Sequence, residues 1–145
     1  MIETLARILM TVLRHGIRLA LMRGDCKGLP ENPALAKVII VLAAFCHGAV
    51  AFSGHLQPIK ALGSAAGFAV FVLFMAFLVK GEERMKSGRF VPDWTLVLAA
   101  SAIDIVISGL SLLAILLIDN NVIIVLSVAW AFVAITRVVQ QRLTL

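Results

Sequence analysis

The sequence predicts an all-α integral membrane protein, a four-helix bundle preceded by an N-terminal amphipathic interfacial helix. Its composition is 61% hydrophobic and 14% charged over 145 residues, whereas soluble domains have roughly 45–50% apolar and 25% charged residues. The chain also contains four apolar runs, each close to the roughly 20 residues that cross a bilayer as a helix. A chain of this length leaves room for about one domain, so we expect one membrane domain over residues 1–145. Basic residues gather beside the apolar runs, which suggests lipid headgroups as their anionic partner.

Residues 1–23 predict the amphipathic helix. At a period of 3.6 residues, Arg7, Arg14 and Arg18 fall on one face and the apolar residues on the other. Each arginine near an anionic membrane surface contributes on the order of 1 kcal/mol. We therefore predict that these arginines bind lipid headgroups, with a helix packed on protein as the alternative.

The four spans are predicted at residues 33–53, 58–80, 94–118 and 122–139. Asn32 followed by Pro33 predicts a helix start, because asparagine caps a helix and proline suits its first position. Asp93 can cap the third span in the same way, and Trp94 suits the membrane interface. Residues 119–121 leave room only for a tight turn, so the last two spans should form an antiparallel hairpin.

The distribution of basic residues predicts the orientation. With four crossings, only Lys60 among 13 basic residues lies on the side opposite the termini. The remaining residues are Arg7, Arg14, Arg18, Arg23, Lys27, Lys37, Lys80, Arg84, Lys86, Arg89, Arg137 and Arg142. Since cytoplasmic loops carry the excess of Lys and Arg, we predict a multi-pass protein of the bacterial inner membrane with both termini cytoplasmic.

Asp104 is the leading candidate for a functional residue. It lies ten residues beyond Trp94, hence roughly 15 Å into a hydrocarbon core of about 30 Å. An ionisable group at that depth costs on the order of 2.5–3.5 kcal/mol and is by default a functional-site hypothesis. His47 on the first span lies a few ångströms deeper from the cytoplasmic side by the same count, which permits a hydrogen-bonded pair. A polar stripe facing protein or water is formed by Ser101, Asp104, Ser108 and Ser111.

This stripe has two interpretations. It is either a proton-coupled or ion-binding site, or a protonated Asp104 held by serine hydroxyls or by a polar contact to a partner helix. Ser127, Ala131 and Ala134 form a small-residue face on the fourth span that could pack against it. On the second span, Gly63 and Gly67 have the spacing that allows close helix contact in membranes.

Enzyme signatures are absent from the sequence. It has no glycine-rich phosphate loop, no paired carboxylates facing a cleft and no histidine cluster. Cys26 and Cys46 lack metal-ligand spacing, so we expect two reduced cysteines without a role. The basic residues form no continuous tract of the nucleic-acid-binding kind. We predict no catalytic residue, no metal, no cofactor and no nucleic-acid partner.

The connector Arg23-Gly-Asp-Cys-Lys-Gly-Leu-Pro-Glu-Asn-Pro-Ala-Leu35 resembles small bacterial membrane proteins of the Yip1-like type. In those proteins a similar Arg-Gly-x-x-x-x-Leu-Pro-x-x-Pro stretch precedes the first span. They usually have five spans, whereas four are predicted here. The resemblance implies a non-enzymatic membrane organiser or assembly factor and assigns no functional residue.

Three functions therefore stand as hypotheses. The first is a non-enzymatic accessory or assembly subunit of an inner-membrane complex, which contacts anionic lipid and other membrane subunits or copies of itself. The second is a small oligomeric proton- or ion-coupled transporter or channel that uses Asp104. The third is a holin-like permeabilising protein.

Overall fold

The fold is all-helical, as predicted. A computed structural model describes residues 2–26, 28–54, 57–79, 91–118 and 122–144, and within them it has five α-helices and no strand. The helices are α1 (Ile2–Ala20), α2 (Pro33–Ser53), α3 (Pro58–Val79), α4 (Trp94–Ile118) and α5 (Val122–Leu143). By length and composition, α2 to α5 are the four helices that can cross a membrane.

Both predicted helix caps are present. The Asn32 side chain accepts a hydrogen bond from the Leu35 backbone N–H at 3.1 Å, and Pro33 occupies the first turn of α2. Asp93 Oδ1 accepts from the Leu96 N–H, also at 3.1 Å, at the start of α4. Each cap satisfies one backbone donor that has no partner within the helix.

Two helix boundaries differ from the prediction. The first helix ends at Ala20 and not at residue 23, because Met22 (φ 55°) and Gly24 (φ 116°) leave the helical region. The last helix continues beyond residue 139 to Leu143, because polar side chains of its final turns bind the connector and Asp93 as described below. The end of the predicted second span at residue 80, the loop over 80–89 and the turn over 119–121 lie outside the described residues.

The first half of α4 is the centre of the bundle. Its residues from Leu96 to Ile103 are almost inaccessible to solvent, and α1, α2, α3 and α5 all contact the helix. The helices α2 and α4 run in the same direction and share the most extensive contact. Near their starts, Lys37 Nζ lies 5.6 Å from the centroid of the Trp94 ring. A cation over an aromatic ring is an attractive arrangement, so this contact joins the two helix starts.

One face of α1 packs on α4. Val12 and Leu19 are buried there, and a Cβ added to Gly16 would come within 2.7 Å of the Ala102 carbonyl oxygen. Trp130 of α5 donates its indole N–H to the carbonyl of Ala20 at 2.7 Å. The predicted lipid-binding residues lie on the exposed part of the helix; they are Arg7, Arg14 and Arg18. Protein packing on one face thus coexists with an open arginine face, whose contact with lipid stays a prediction.

Candidate functional site at Asp104 and His47

Asp104 is buried near the middle of α4, with both carboxylate oxygens in contact with polar side chains. Its relative exposure is 2%. Oδ1 lies 3.1 Å from His47 Nδ1, and Oδ2 accepts a hydrogen bond from Ser108 Oγ at 3.3 Å. The structure therefore brings together three of the residues that the sequence singled out.

The register of α2 against α4 explains why His47 meets Asp104. Lys37 and Trp94 are neighbours at one level of the bundle, and His47 and Asp104 each follow ten residues later. Two helices that run in the same direction with a common rise of about 1.5 Å per residue keep such a register. Both partners consequently lie roughly 15 Å beyond the Lys37–Trp94 level.

The His47 ring is held in place by a second contact. It stacks on the Phe68 ring of α3, with centroids 5.0 Å apart and planes inclined by 17°. Its Nδ1 faces Asp104, and the described residues offer Nε2 no hydrogen-bond partner. Since 23% of the side chain is exposed, the imidazole connects a buried carboxylate with accessible space.

The polar stripe continues along α4 to Ser111. Ser111 Oγ lies 2.6 Å from both the Ile107 carbonyl oxygen and Ser127 Oγ of α5. Ala131 and Ala134, on the same predicted face as Ser127, are buried. Ser111 and Ser127 therefore join α4 to α5 at the predicted small-residue face.

Ser101, at the other end of the stripe, forms a hydrogen bond with neither the Asp104–His47 pair nor the hydroxyls of Ser111 and Ser127. Its side chain is completely buried, and its hydroxyl has no hydrogen-bond partner among the described residues. It does not line the cavity that adjoins Asp104. The prediction that Ser101 shares the site is therefore not matched by a contact with Asp104.

A cavity of about 550 Å³ adjoins the Asp104–His47 pair, and we call it the central cavity. Its walls are formed by the second halves of α2 and α4 and the first halves of α3 and α5, so it occupies the half of the bundle beyond the pair. Most of the wall is apolar; Ser108, Ser111 and Ser127 add hydroxyls. The rings of Phe71 and Phe132 lie 6.5 Å apart, where α3 and α5 meet at its side.

Gly63 and Gly67 contact no other helix among the described residues. A Cβ added to either glycine would have no atom within 4 Å. The close contact that Gly48 makes with Ala61 and Ala65 joins α2 to α3 on a different face. The predicted glycine face therefore has no partner within the part of the chain that the structure describes.

A polar cluster at the ends of α4 and α5 was missed by sequence reasoning. Asp93 is 1% exposed, and its Oδ2 accepts from Arg142 Nε and Nη2, each at 2.8 Å. Arg137 donates to the Met22 carbonyl, and Gln141 Nε2 donates to the Gly24 carbonyl at 3.3 Å. The cap at Asp93 was visible in the sequence, but nothing marked a partner 49 residues away.

Cys26 lies beside this cluster in the connector. Its side chain is buried, with Sγ 4.0 Å from Gln141 Oε1. Burial raises the pKa of the Cys26 thiol to about 11, and Arg142 opposes the shift. A thiol with a raised pKa forms little of the reactive thiolate at neutral pH.

The Asp104–His47 pair is suited to hold or exchange a proton. The carboxyl and the imidazole are both groups that can bind a proton, and the imidazole also reaches accessible space. Among the described residues, no group of three or more His, Cys, Asp and Glu side chains could hold a metal ion. The described site is therefore an aspartate–histidine pair beside a largely apolar cavity.

Fold and site define a multi-pass helical membrane protein with an ionisable pair inside its bundle. Comparisons with protein-family models, curated proteins and solved structures gave no match to this chain.

Proposed function

We propose that this chain is a small membrane transporter or channel that moves protons, which are bound and released at the Asp104–His47 pair. The observation that carries the proposal is the 3.1 Å contact between the two side chains beside the central cavity. Ionisable groups within membrane spans mark proton relays and substrate pathways. A largely apolar cavity with a few convergent polar groups is the usual form of a small-molecule site.

The arrangement of the helices supports a path for the proton. Nδ1 of His47 contacts the carboxylate, and the same ring lines the central cavity with Asp104. A proton from the cavity can thus bind to Nε2 while Nδ1 gives its own proton to the Asp104 carboxylate. The remaining polar wall is made of hydroxyls from Ser108, Ser111 and Ser127, which can orient water in this half of the bundle.

The test is proton movement into liposomes. The full-length protein is reconstituted with a pH-sensitive dye inside, and a potassium gradient with valinomycin drives protons inward. We expect acidification that requires the protein and is lost in D104N, because an amide cannot bind and release the proton. D25N is the matched control, since it makes the same chemical change at an exposed connector residue.

Folding is checked by helical circular dichroism and size-exclusion chromatography of each variant. Equal acidification by wild type and a folded D104N would contradict the proposal. So would the absence of protein-dependent acidification in the wild type. Release of large dyes from the same liposomes would instead favour the holin-like alternative.

An accessory or assembly role is the second candidate, favoured by the free glycine face of α3. Since a Cβ added at Gly63 or Gly67 would have no described atom within 4 Å, the double variant G63V/G67V should keep its fold. Close helix association in membranes depends on small residues at the contact, so this variant should lose a partner or a second copy. Purification in mild detergent tests it: an unchanged complex in the double variant would contradict this role.

A further inference from the structure

We propose that the central cavity binds a hydrophobic organic cation, which takes the place of one proton of the Asp104–His47 pair. The inference rests on the proposed function and names the class of ligand for the same site. It combines the shape of the wall, the sign of its charges and the electrical neutrality that the membrane interior imposes.

The wall of the cavity matches such a ligand. A volume of about 550 Å³ is within the roughly 300–1,000 Å³ of small-molecule sites. Three phenylalanine rings, those of Phe68, Phe71 and Phe132, line it together with the His47 ring. Aromatic faces attract cations, and desolvation strengthens that attraction. Aliphatic side chains of α2, α4 and α5 complete an apolar surface suited to alkyl or aryl groups.

The charges of the wall favour a cation over an anion. Asp104 is the one carboxylate that lines the cavity within the described residues, and no Lys or Arg lines it. The lining residues of α3 and α5 include no titratable group. From α2 the titratable side chains that interact with the carboxylate are His47 and the thiol of Cys46, and Cys46 does not line the cavity. An anionic ligand would therefore meet Asp104 without a compensating lysine or arginine.

The side of the cavity offers a route for a membrane-dissolved ligand. The exposed fractions of Phe71 and Phe132 are 37% and 60%, and their rings face each other between α3 and α5. In a bilayer this exposed surface contacts the hydrocarbon region. A hydrophobic cation that partitions into the membrane could thus enter between these two helices.

The number of protons released on binding follows if the site keeps its net charge. A pair that carries a single proton, on either group, holds one proton more than carboxylate with neutral imidazole. When a monovalent cation binds, the site stays neutral if that one proton leaves to solvent. The conclusion is the same whether the proton was on Asp104 or on His47. Binding of one cation should therefore release about one proton, and the affinity should rise about tenfold per pH unit while the empty pair is neutral.

Tetraphenylphosphonium binding to the full-length protein in detergent tests the inference. We expect the dissociation constant to fall about tenfold when the pH is raised by one unit. Titration in weakly buffered solution should show release of about one proton per bound cation. D104N should abolish binding, and D25N should bind as the wild type does. The proton-release measurement needs no variant, so it remains decisive if D104N does not fold.

Uncharged triphenylphosphine oxide is the control ligand, because it has similar aryl groups and no positive charge. It tests whether the cavity selects for charge or only for apolar surface. Equal, pH-independent binding of both probes, or cation binding that persists in folded D104N, would overturn the inference. No tetraphenylphosphonium binding to the wild type would also overturn it. These results differ from failure of the proposed function, which is the absence of Asp104-dependent proton movement in liposomes without the cation.

Discussion

Replacing Asp93 by asparagine and by alanine separates two contributions to the stability of the bundle. The Asp93 carboxylate caps α4 through the Leu96 N–H and pairs with Arg142 of α5. Asparagine can keep the cap but not the charge, whereas alanine removes both. The difference in unfolding free energy between D93N and D93A therefore measures the contribution of the cap. The difference between wild type and D93N measures the contribution of the ion pair.

The expected magnitudes follow from burial. Breaking a buried ion pair costs about 3–5 kcal/mol, and an exposed pair contributes about 0–1 kcal/mol. The Asp93 side chain is 1% exposed and the Arg142 side chain 23% exposed, so the pair is intermediate between these cases. We expect D93N to lower the free energy of unfolding by about 2 kcal/mol. Loss of a helix cap costs about 1 kcal/mol, so we expect D93A to lose about 3 kcal/mol.

The assay is unfolding of the full-length protein in mixed detergent micelles, followed by circular dichroism as the SDS fraction rises. A double-mutant cycle with R142Q checks the assignment: we expect a coupling energy of about 2 kcal/mol between the two sites. A D93N variant as stable as the wild type, or a coupling energy near zero, would refute the ion-pair reasoning. Equal stability of D93N and D93A would refute the contribution of the cap.

Three further predictions concern α1, the connector and the orientation. G16A should destabilise the protein by about 1–3 kcal/mol through overpacking against Ala102. The control G109A should not, because an added Cβ there has no described atom within 4 Å. Equal unfolding midpoints for the two variants would contradict this prediction. Cys26 should resist alkylation at neutral pH in the folded state. Burial raises the pKa of this thiol from 9.0 to about 11, so its contribution to stability should fall as the pH rises between these values. Rapid modification of the native protein at neutral pH would argue against a buried thiol. A C-terminal fusion should be active with a cytoplasmic reporter and inactive with a periplasmic one, and the opposite pattern would reverse the predicted orientation.

Features with local causes were predictable from the sequence. The apolar runs determine which segments are helices that can cross a membrane, and the cap at Asn32 depends on residues within one turn. The stripe of Asp104, Ser108 and Ser111 follows from helical periodicity, and all three side chains are buried. The depth argument that placed His47 near Asp104 rests on the rise per residue, which both helices share.

Features that depend on how separate helices pack were not predictable. Nothing in the sequence paired Asp93 with Arg142, because the contact requires the ends of α4 and α5 to meet. The cavity beside Asp104 arises from the spacing of four helices, and no single-helix pattern encodes that spacing. Ser101 follows the same periodicity as its neighbours yet has no partner among the described residues, since periodicity assigns a face but not a contact.

The measurement that tests the central claim most directly is whether the Asp104 carboxyl exchanges its proton with bulk solvent. Infrared difference spectra of the folded protein between two pH values report carboxyl groups that gain or lose a proton, and subtraction of D104N assigns the Asp104 signal. A proton-binding site beside an accessible cavity predicts a carboxyl signal that responds to bulk pH and disappears in D104N. A spectrum in which Asp104 does not respond to pH while the protein stays folded would contradict it and leave the pair with a purely structural role.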